Sequence, residues 1–459
     1  MSIFREYDIR GIFEKDLTQE IVFKIGYHLG QIIRSHAQEQ VLIGYDARTH
    51  STILLEWLSD GLFASRVEVL HLGQIPTPVA YFATYALECK NSIMITGSHN
   101  PPQYNGFKIT IDQKPFYGAA IQNLKDTILA CDTPYQRAST TAKQVNILES
   151  YISHLTEHFG KLRDFPYPIA LDYGNGVGAL AMKPILENLN IKHYNLFDTP
   201  DGTFPNHHPD PSEEENLNDL KTAMKEQNIP IALAFDGDAD RIALLTSHHS
   251  YKGDELAIFF AQEMAREMAP KKPLIIGEVK CSQIMYDTIN KLGKSLMYKT
   301  GHSNLKVKLK ELNADLAVEM SGHIFFNDRY YGYDDAIYAG LRILELFLTQ
   351  SPKDLESAIA ALPKVYSTPE EKIHTTEEAK FALISSLKSK LKNPPASFPP
   401  ILDIIDIDGV RVIFQDGWGL VRASNTTPVL VTRFEAKDKA TAMLYKKALL
   451  DLLPPNPNS

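Results

Sequence analysis

The chain has 459 residues, with 47 Lys plus Arg against 56 Asp plus Glu and a formal charge of −9. That balance excludes a generally basic nucleic-acid binder. A 44% hydrophobic share over this length describes a multi-domain globular protein of about three domains. Only Cys89, Cys131 and Cys281 occur, widely spaced and without a CxxC pair, so neither a disulfide framework nor a structural zinc site is expected and a cytoplasmic setting fits. The start MSIFREYDIRG carries Arg5, Glu6, Asp8 and Arg10, and no run of about 18 apolar residues follows anywhere, so neither secretion nor a membrane span is expected.

Ile21, Ile25, Leu29 and Ile32 recur at helical spacing and predict an amphipathic helix over 18–36. VLIGYD at 41–46 reads as a buried strand. A helix at 51–65, a strand at 67–70, a helix near 77–88 and the strand NSIMIT at 91–96 follow. This alternation predicts a parallel sheet covered by helices. CDTPYQRASTTAK at 131–143 has no apolar period and reads as a linker. The alternation restarts with strands at 168–173, 191–197 and 230–235, and again at 273–279, 295–300 and 315–320. LIGYD, ALDYG and LIIGE each open a block and each carry glycine beside a carboxylate, which suggests one α/β unit used three times. From about 364 the texture changes: a helix near 376–392 and KNPPASFPP precede strands at 401–407, 410–414, 418–422 and 429–435 and a helix at 437–452. Strands in such close succession make an antiparallel sheet. The tail PPNPNS is expected to be disordered.

Three loops could carry chemistry. TGSHNPPQYNG at 96–106 would expose Ser98 at the carboxyl end of a sheet, where open α/β folds bind ligands. Free serine is a poor nucleophile and needs a metal, a base or prior phosphorylation. A plain turn would use the same Gly, Ser, Asn and Pro. DGDADR at 236–241 places Asp236, Asp238 and Asp240 at alternating positions between two apolar strands, and an oxygen-preferring divalent cation would relieve their repulsion. An EF-hand is ruled out, since Arg241 and Ser247 stand where its glycine and bidentate glutamate belong. Mg²⁺ is the expected ion; the bland alternative is a solvated acidic turn. VRASNTTP at 421–428 gathers Arg422, Ser424, Asn425, Thr426 and Thr427, a guanidinium fork with hydroxyls and amides that suits a phosphate or serves as a polar hairpin turn.

Other features carry less. YGNGVGA at 173–179 followed by Asp198 is a weak dinucleotide signal. His207 and His208 read as loop packing, Glu213 to Glu215 as the acidic opening of a helix, and Cys281 as a small residue lacking a base partner. Serine, a carboxylate cluster and a phosphate clamp together point to phosphoryl transfer. An acidic chain must then hold its anionic substrate with local cations such as Arg10, Lys108, Lys280 and Arg422.

FREYDIRG at 4–11, TGSHNPPQYNGFKI at 96–109, DGDADR at 236–241, EMSGH at 319–323 and RASNTTP at 422–428 resemble, in order, the signature set of the α-D-phosphohexomutases. EMSGH with RASNT is similar to the bacterial phosphomannomutase/phosphoglucomutase branch. The resemblance implies three similar mixed α/β domains (1–141, 142–250 and 251–363) and a C-terminal α+β domain (364–459) around a central cleft. It implies reversible transfer between hexose 1-phosphate and hexose 6-phosphate, of mannose or glucose, through phosphorylated Ser98 and a hexose 1,6-bisphosphate. Ser98, Asp236, Asp238 and Asp240 would ligate Mg²⁺. Glu319 and Ser321 would bind sugar hydroxyls, and Arg422, Ser424, Asn425 and Thr426 the non-transferring phosphate. Tyr7, Arg10, His99, Lys108, Arg241, Lys280, His302 and His323 would line the cleft, with His99, Lys108 and His302 as proton carriers and Arg241 as a charge partner. The partners implied are small hexose phosphates, with no nucleic acid or membrane, and the chain is expected to act as a monomer. Ala239 stands where this family more often has glycine, a difference that matters only if the position needs positive φ. The rival readings are an aspartyl-phosphate phosphatase of the haloacid-dehalogenase kind, with Asp236 as nucleophile, and a non-catalytic sugar-phosphate sensor.

Overall fold

The computed structural model describes residues 3–425 and 427–454, so Thr426 of the phosphate loop and most of the tail lie outside the described residues. Four sheets follow one another along the chain. In the first, Gln40–Tyr45 pairs in parallel with Glu68–Gln74 on one side and Ser92–Ile95 on the other, and Tyr104–Ile111 closes that side antiparallel. The second repeats the arrangement with Ile169–Asp172 between His193–Leu196 and Ile231–Phe235, and antiparallel Ile242–Thr246 beyond. In the third, Leu274–Glu278 lies between Lys294–Tyr298 and Leu316–Val318, with antiparallel Ile324–Phe326 outside.

The suggested repeat is therefore a four-strand unit of order second, first, third, fourth. The expectation of parallel sheets needs correction: each is mixed, because the short loop after the third strand can return the chain only as an antiparallel neighbour. The strand Tyr104–Ile111 and the helices Leu148–His158, Ala336–Leu346 and Pro352–Ala360 are additions to the sequence reading.

The unit explains where the loops fall. The strand order reverses between first and third strands, and ligands in open α/β sheets bind at the carboxyl ends beside that point. TGSHN, DGDADR and EMSGH are all the loop from third to fourth strand, and so are structurally equivalent.

The fourth sheet is antiparallel, with Gly417–Ala423 between Val410–Phe414 and Val429–Ala436, as the spacing predicted. The strand Glu371–His374 adds to its far side. Its core of Val410, Val412, Phe414, Leu430 and Phe434 is packed by Leu387 and Leu449 from two helices. A different apolar cluster runs without a break through the first three units, from Leu42 and Phe82 through Tyr151 and Leu233 to Tyr338. The linker at 131–143 does lack regular structure over most of its length, though Asp60 holds it through Tyr135 Oη at 2.7 Å and the Ala138 N–H at 3.0 Å.

Candidate active site

Asp236, Asp238 and Asp240 are each 0% exposed, which makes their mutual repulsion the controlling electrostatic fact. Asp236 Oδ1 accepts from the N–H groups of Asp240 at 3.0 Å and Arg241 at 3.1 Å. Asp236 Oδ2 accepts from Ser98 Oγ at 2.8 Å, joining the serine loop of the first unit to the carboxylate loop of the second. Asp238 Oδ2 accepts from Thr77 Oγ1 at 2.6 Å and Lys108 Nζ at 2.7 Å, and Lys108 also contacts Asp240. Burial would raise Asp238, but the Lys108 ammonium holds it well below the usual carboxylate range. Asp236 lacks that partner, and burial with repulsion from Asp238 and Asp240 pushes it up.

The cluster still needs positive charge beyond Lys108 and the nearby Arg241 guanidinium, which is also engaged by Asp210. These cations leave three carboxylates short of charge, and the buried Asp238 Oδ1 and Asp240 Oδ1 have no hydrogen-bond partner among the described residues. One oxygen from each of the three aspartates lies within 4.8 Å of the others. The donor set and spacing fit an oxygen-preferring divalent cation.

Ser98 stands at φ +48°, an uncommon conformation for a residue other than glycine, and is 3% exposed. His99 Nδ1 is 3.1 Å from its Oγ. Arg10 donates to Gly97 O at 3.2 Å and contacts Asn100 and Asp8. From the third unit, Glu319 Oε1 accepts the Gly301 N–H at 2.6 Å, Arg241 Nε donates to His323 Nε2 at 2.9 Å, and Ser321 is half-buried. His302 packs edge-on to Tyr7 and parallel to His323. Burial, then the neighbouring Lys306, pushes His302 well below the usual imidazole range.

Lys280 Nζ donates to Glu370 at 3.1 Å and lies 3.5 Å from Glu278, which burial pushes up to about 7. The fourth domain contributes Arg422, whose Nε donates to Asp408 at 3.0 Å while Nη2 is buried without a partner among the described residues. Ser424 Oγ lies 2.9 Å from Thr427 Oγ1, and Asn425 contacts Tyr7, whose hydroxyl donates to Thr300 O at 2.7 Å.

The five segments named by the sequence thus meet, through Arg10 with Gly97, Ser98 with Asp236, Arg241 with His323, and Tyr7 with Asn425. Sequence reasoning missed Asp46, Arg48, Thr77, Lys306 and Asp334. Asp334 is 0% exposed and sits 2.8 Å from Lys306, 3.3 Å from His323 and 3.7 Å from His302. Only Asp46 left a signal, as the carboxylate of LIGYD.

The discounted features fall where packing needs them. A side chain on Gly176 would run into the backbone of Gly237, so the YGNGVGA turn is a support for the carboxylate loop. Asp198 is engaged by Lys183 at 2.8 Å, His207 is bonded to Asp172 at 3.0 Å, and Cys281 is fully buried with its thiol pushed up by that burial. Glu214 and Glu215 lie in a short 3₁₀ turn that leads into the helix Asn218–Glu226.

A serine bonded into a buried carboxylate cluster, with a cluster of polar groups on a separate domain, defines a phosphohexomutase-like architecture. Family models for phosphoglucomutase/phosphomannomutase match in sequence: alpha/beta/alpha domains I, II and III at residues 1–132, 149–249 and 252–366, and the C-terminal domain at 370–452. The chain belongs to the phosphoglucomutase/phosphomannomutase family.

It is 40% identical over 437 residues to a phosphomannomutase/phosphoglucomutase of Pseudomonas aeruginosa, covering 95% of this chain and 92% of that one. It is 39% identical over 468 residues to a phosphoglucomutase of Neisseria meningitidis, covering 100% and 98%. A crystal structure of a family protein from Burkholderia thailandensis superposes with a TM-score of 0.86 at 36% identity, covering 98% of this chain and 96% of that one. Among the described residues, no helix is long and apolar enough to cross a membrane.

Proposed function

We propose that this protein interconverts hexose 1-phosphate and hexose 6-phosphate, with mannose or glucose as the sugar, by way of a phosphoryl group carried on Ser98 and a hexose 1,6-bisphosphate. The observation that carries the reading is the Ser98 Oγ to Asp236 Oδ2 contact of 2.8 Å, which puts the carrier oxygen against the cation-binding carboxylates. The names of the Pseudomonas and Neisseria relatives support the substrate class.

In the forward half-reaction the bond from phosphorus to Ser98 Oγ breaks and a bond to the sugar 6-oxygen forms, while the 6-hydroxyl gives up its proton to a side chain and Ser98 Oγ takes one up; Ser98 Oγ gives that proton up again in the second half. In the second half the 1-phosphoryl group moves to Ser98 Oγ, and the sugar 1-oxygen takes up a proton. Ser98 with Asp236, Asp238 and Asp240 would hold Mg²⁺, which when bound supplies positive charge to the transferring phosphoryl oxygens. Lys108, kept cationic between Asp238 and Asp240, adds to that charge. Burial keeps the imidazoles of His99 and His302 neutral and disfavours the charged form, so a proton either one accepts is passed on rather than held.

The non-transferring phosphate is held by Arg422 with Ser424, Asn425 and Thr426, and the sugar by Glu319, Ser321 and His323, with Tyr7, Arg10, Arg241 and Lys280 around it. A clamp on the fourth domain reads a phosphate without regard to which end of the sugar bears it. Both ends must be accepted in turn, so the intermediate reorients between the two transfers.

Intact-protein mass spectrometry after incubation with glucose 1,6-bisphosphate should show one added phosphoryl group, localised to Ser98 and absent from Ser98→Ala. A coupled assay on mannose 1-phosphate and glucose 1-phosphate should show turnover that Ser98→Ala abolishes. A Ser98→Ala variant with wild-type turnover would end this reading.

A further inference from the structure

A single buried arginine, Arg48, gathers the backbone oxygens of the serine loop. Arg48 is 2% exposed, and its guanidinium is surrounded by backbone oxygens of the serine loop. Nη2 donates to Ser98 O at 2.9 Å and Asn100 O at 2.5 Å, and Nη1 donates to Pro101 O at 2.6 Å and Tyr104 O at 2.8 Å. Nε donates to Asp46 Oδ2 at 3.2 Å. That same oxygen accepts the Thr96 hydroxyl at 2.9 Å and the Gly97 N–H at 3.1 Å, and Thr96 Oγ1 accepts the Ser98 N–H at 2.8 Å.

Hydrogen bonds accepted by Asp46 and donated by Arg48 therefore fix residues 96 to 104 at both peptide edges. Lysine has one compact head and cannot reproduce a five-donor planar fork. The loop needs such restraint because Ser98 sits at φ +48°, a conformation an unrestrained serine leaves readily.

The other face of Arg48 is covered by the Pro, Asn and His loop at 198–210 of the second unit, which the mechanism leaves without a role. The Phe204 ring lies 5.1 Å from the guanidinium carbon, and Gly202 packs so closely that a side chain there would strike Arg48 Cα. Asn175 anchors this loop by donating to Thr199 O at 3.0 Å and accepting from Asn206 at 2.7 Å. Water is thereby kept from the guanidinium, which strengthens each of its bonds.

We infer that Arg48, oriented by Asp46 and covered by Phe204, is the positioning residue of the phosphoryl-carrying serine: it sets where Ser98 Oγ stands relative to the carboxylates and takes no part in substrate binding. The inference rests on the reading of Ser98 as carrier. Misplacement of a reacting atom by about 1 Å costs about 10²-fold in rate.

The test compares Arg48→Lys and the milder Thr96→Val with wild type, using glucose 1-phosphate, Mg²⁺ and glucose 1,6-bisphosphate. Arg48→Lys should lower kcat by about 10²-fold and Thr96→Val by about 10-fold, with KM within threefold of wild type in both. Phosphoryl transfer from Ser98 to substrate in a single turnover, followed by intact mass, should slow in parallel with kcat. If Arg48→Lys fails to fold, Thr96→Val carries the test by itself. A folded variant with wild-type kcat, or one in which KM rises as kcat falls, overturns the inference. Phosphorylation of wild-type Ser98 is measured separately, so a failure here with Ser98 phosphorylated leaves the carrier reading standing.

Discussion

Lys108 Nζ lies 2.7 Å from Asp238 Oδ2, and the two residues come from different sheets. Lys108 projects from Tyr104–Ile111 at the antiparallel side of the first unit, while Asp238 belongs to the loop after Ile231–Phe235 of the second. A fully buried ion pair of this kind is weak evidence for net stability, yet removing one partner strands the other at a cost of about 3–5 kcal/mol. Lys108→Met should therefore melt well below wild type in EDTA. Mg²⁺ should raise the melting temperature of the variant by more than it raises that of wild type, because the ion then supplies charge the lysine no longer does. Thermal unfolding with and without Mg²⁺ measures both. Equal melting in EDTA would mean that Lys108 does not balance the carboxylates.

Arg422 illustrates a different economy of charge. Its Nε is committed to Asp408, which also accepts the Thr300 N–H at 3.0 Å, while the buried Nη2 has no partner among the described residues. Such an orphaned donor is costly unless a ligand completes it. Arg422→Ala should raise KM for hexose 1-phosphate by a factor corresponding to about 2–4 kcal/mol, roughly 30-fold at the low end, with a smaller effect on kcat. Initial-rate kinetics decide it, and an unchanged KM would remove Arg422 from the clamp.

The parts of this architecture that the sequence made legible are those with a one-dimensional pattern. LIGYD, ALDYG and LIIGE announced the three first strands because buried parallel strands are short apolar runs. DGDADR was legible because three carboxylates held between apolar strands repel one another unless a cation joins them. Tyr104–Ile111 was hidden because its residues were absorbed into the serine motif, and its antiparallel pairing depends on a sheet built elsewhere in the chain. Arg48 and Asp334 were hidden for a related reason. Each acts on residues about 50 or more positions away, or on neighbours brought together by another loop, and nothing local distinguishes them from any surface arginine or aspartate.

Ala239 is where a sequence-level question receives a structural answer. It stands at φ +58° with its methyl fully buried, so the position does require positive φ. Ala239→Gly relieves left-handed strain of about 1–2 kcal/mol but forfeits a buried methyl and loosens the unfolded chain, each worth about 0.5–1 kcal/mol. The net change should be within about 1 kcal/mol, with activity retained. Ala239→Val adds β-branching at the same φ in a filled space and should cost about 3 kcal/mol or more. Urea denaturation of the pair checks this; a Val variant as stable as wild type would contradict the assigned loop geometry.

Asp335, next in the chain to Asp334, supplies a pH signature of stability. It is 1% exposed and accepts from Tyr338 N–H at 2.8 Å, Tyr330 Oη at 2.8 Å and Tyr151 Oη at 2.9 Å, yet burial outweighs these bonds and raises its carboxyl from 3.8 to about 6. Between those values the folded protein holds a proton that the unfolded chain has released. Stability from this group is therefore greatest below pH 4, falls as pH rises toward 6, and is level above 7. A shift of about two units corresponds to about 3 kcal/mol at most. Asp335→Asn removes the titration while keeping a side chain of the same shape, to which the tyrosine hydroxyls can reorient. The stability difference, wild type minus Asp335→Asn, should shrink by about 2–3 kcal/mol as pH rises from 4 to 7. Urea titrations at half-unit steps measure it, and a difference that stays flat or grows over that window would show that Asp335 is ionised in the folded protein throughout.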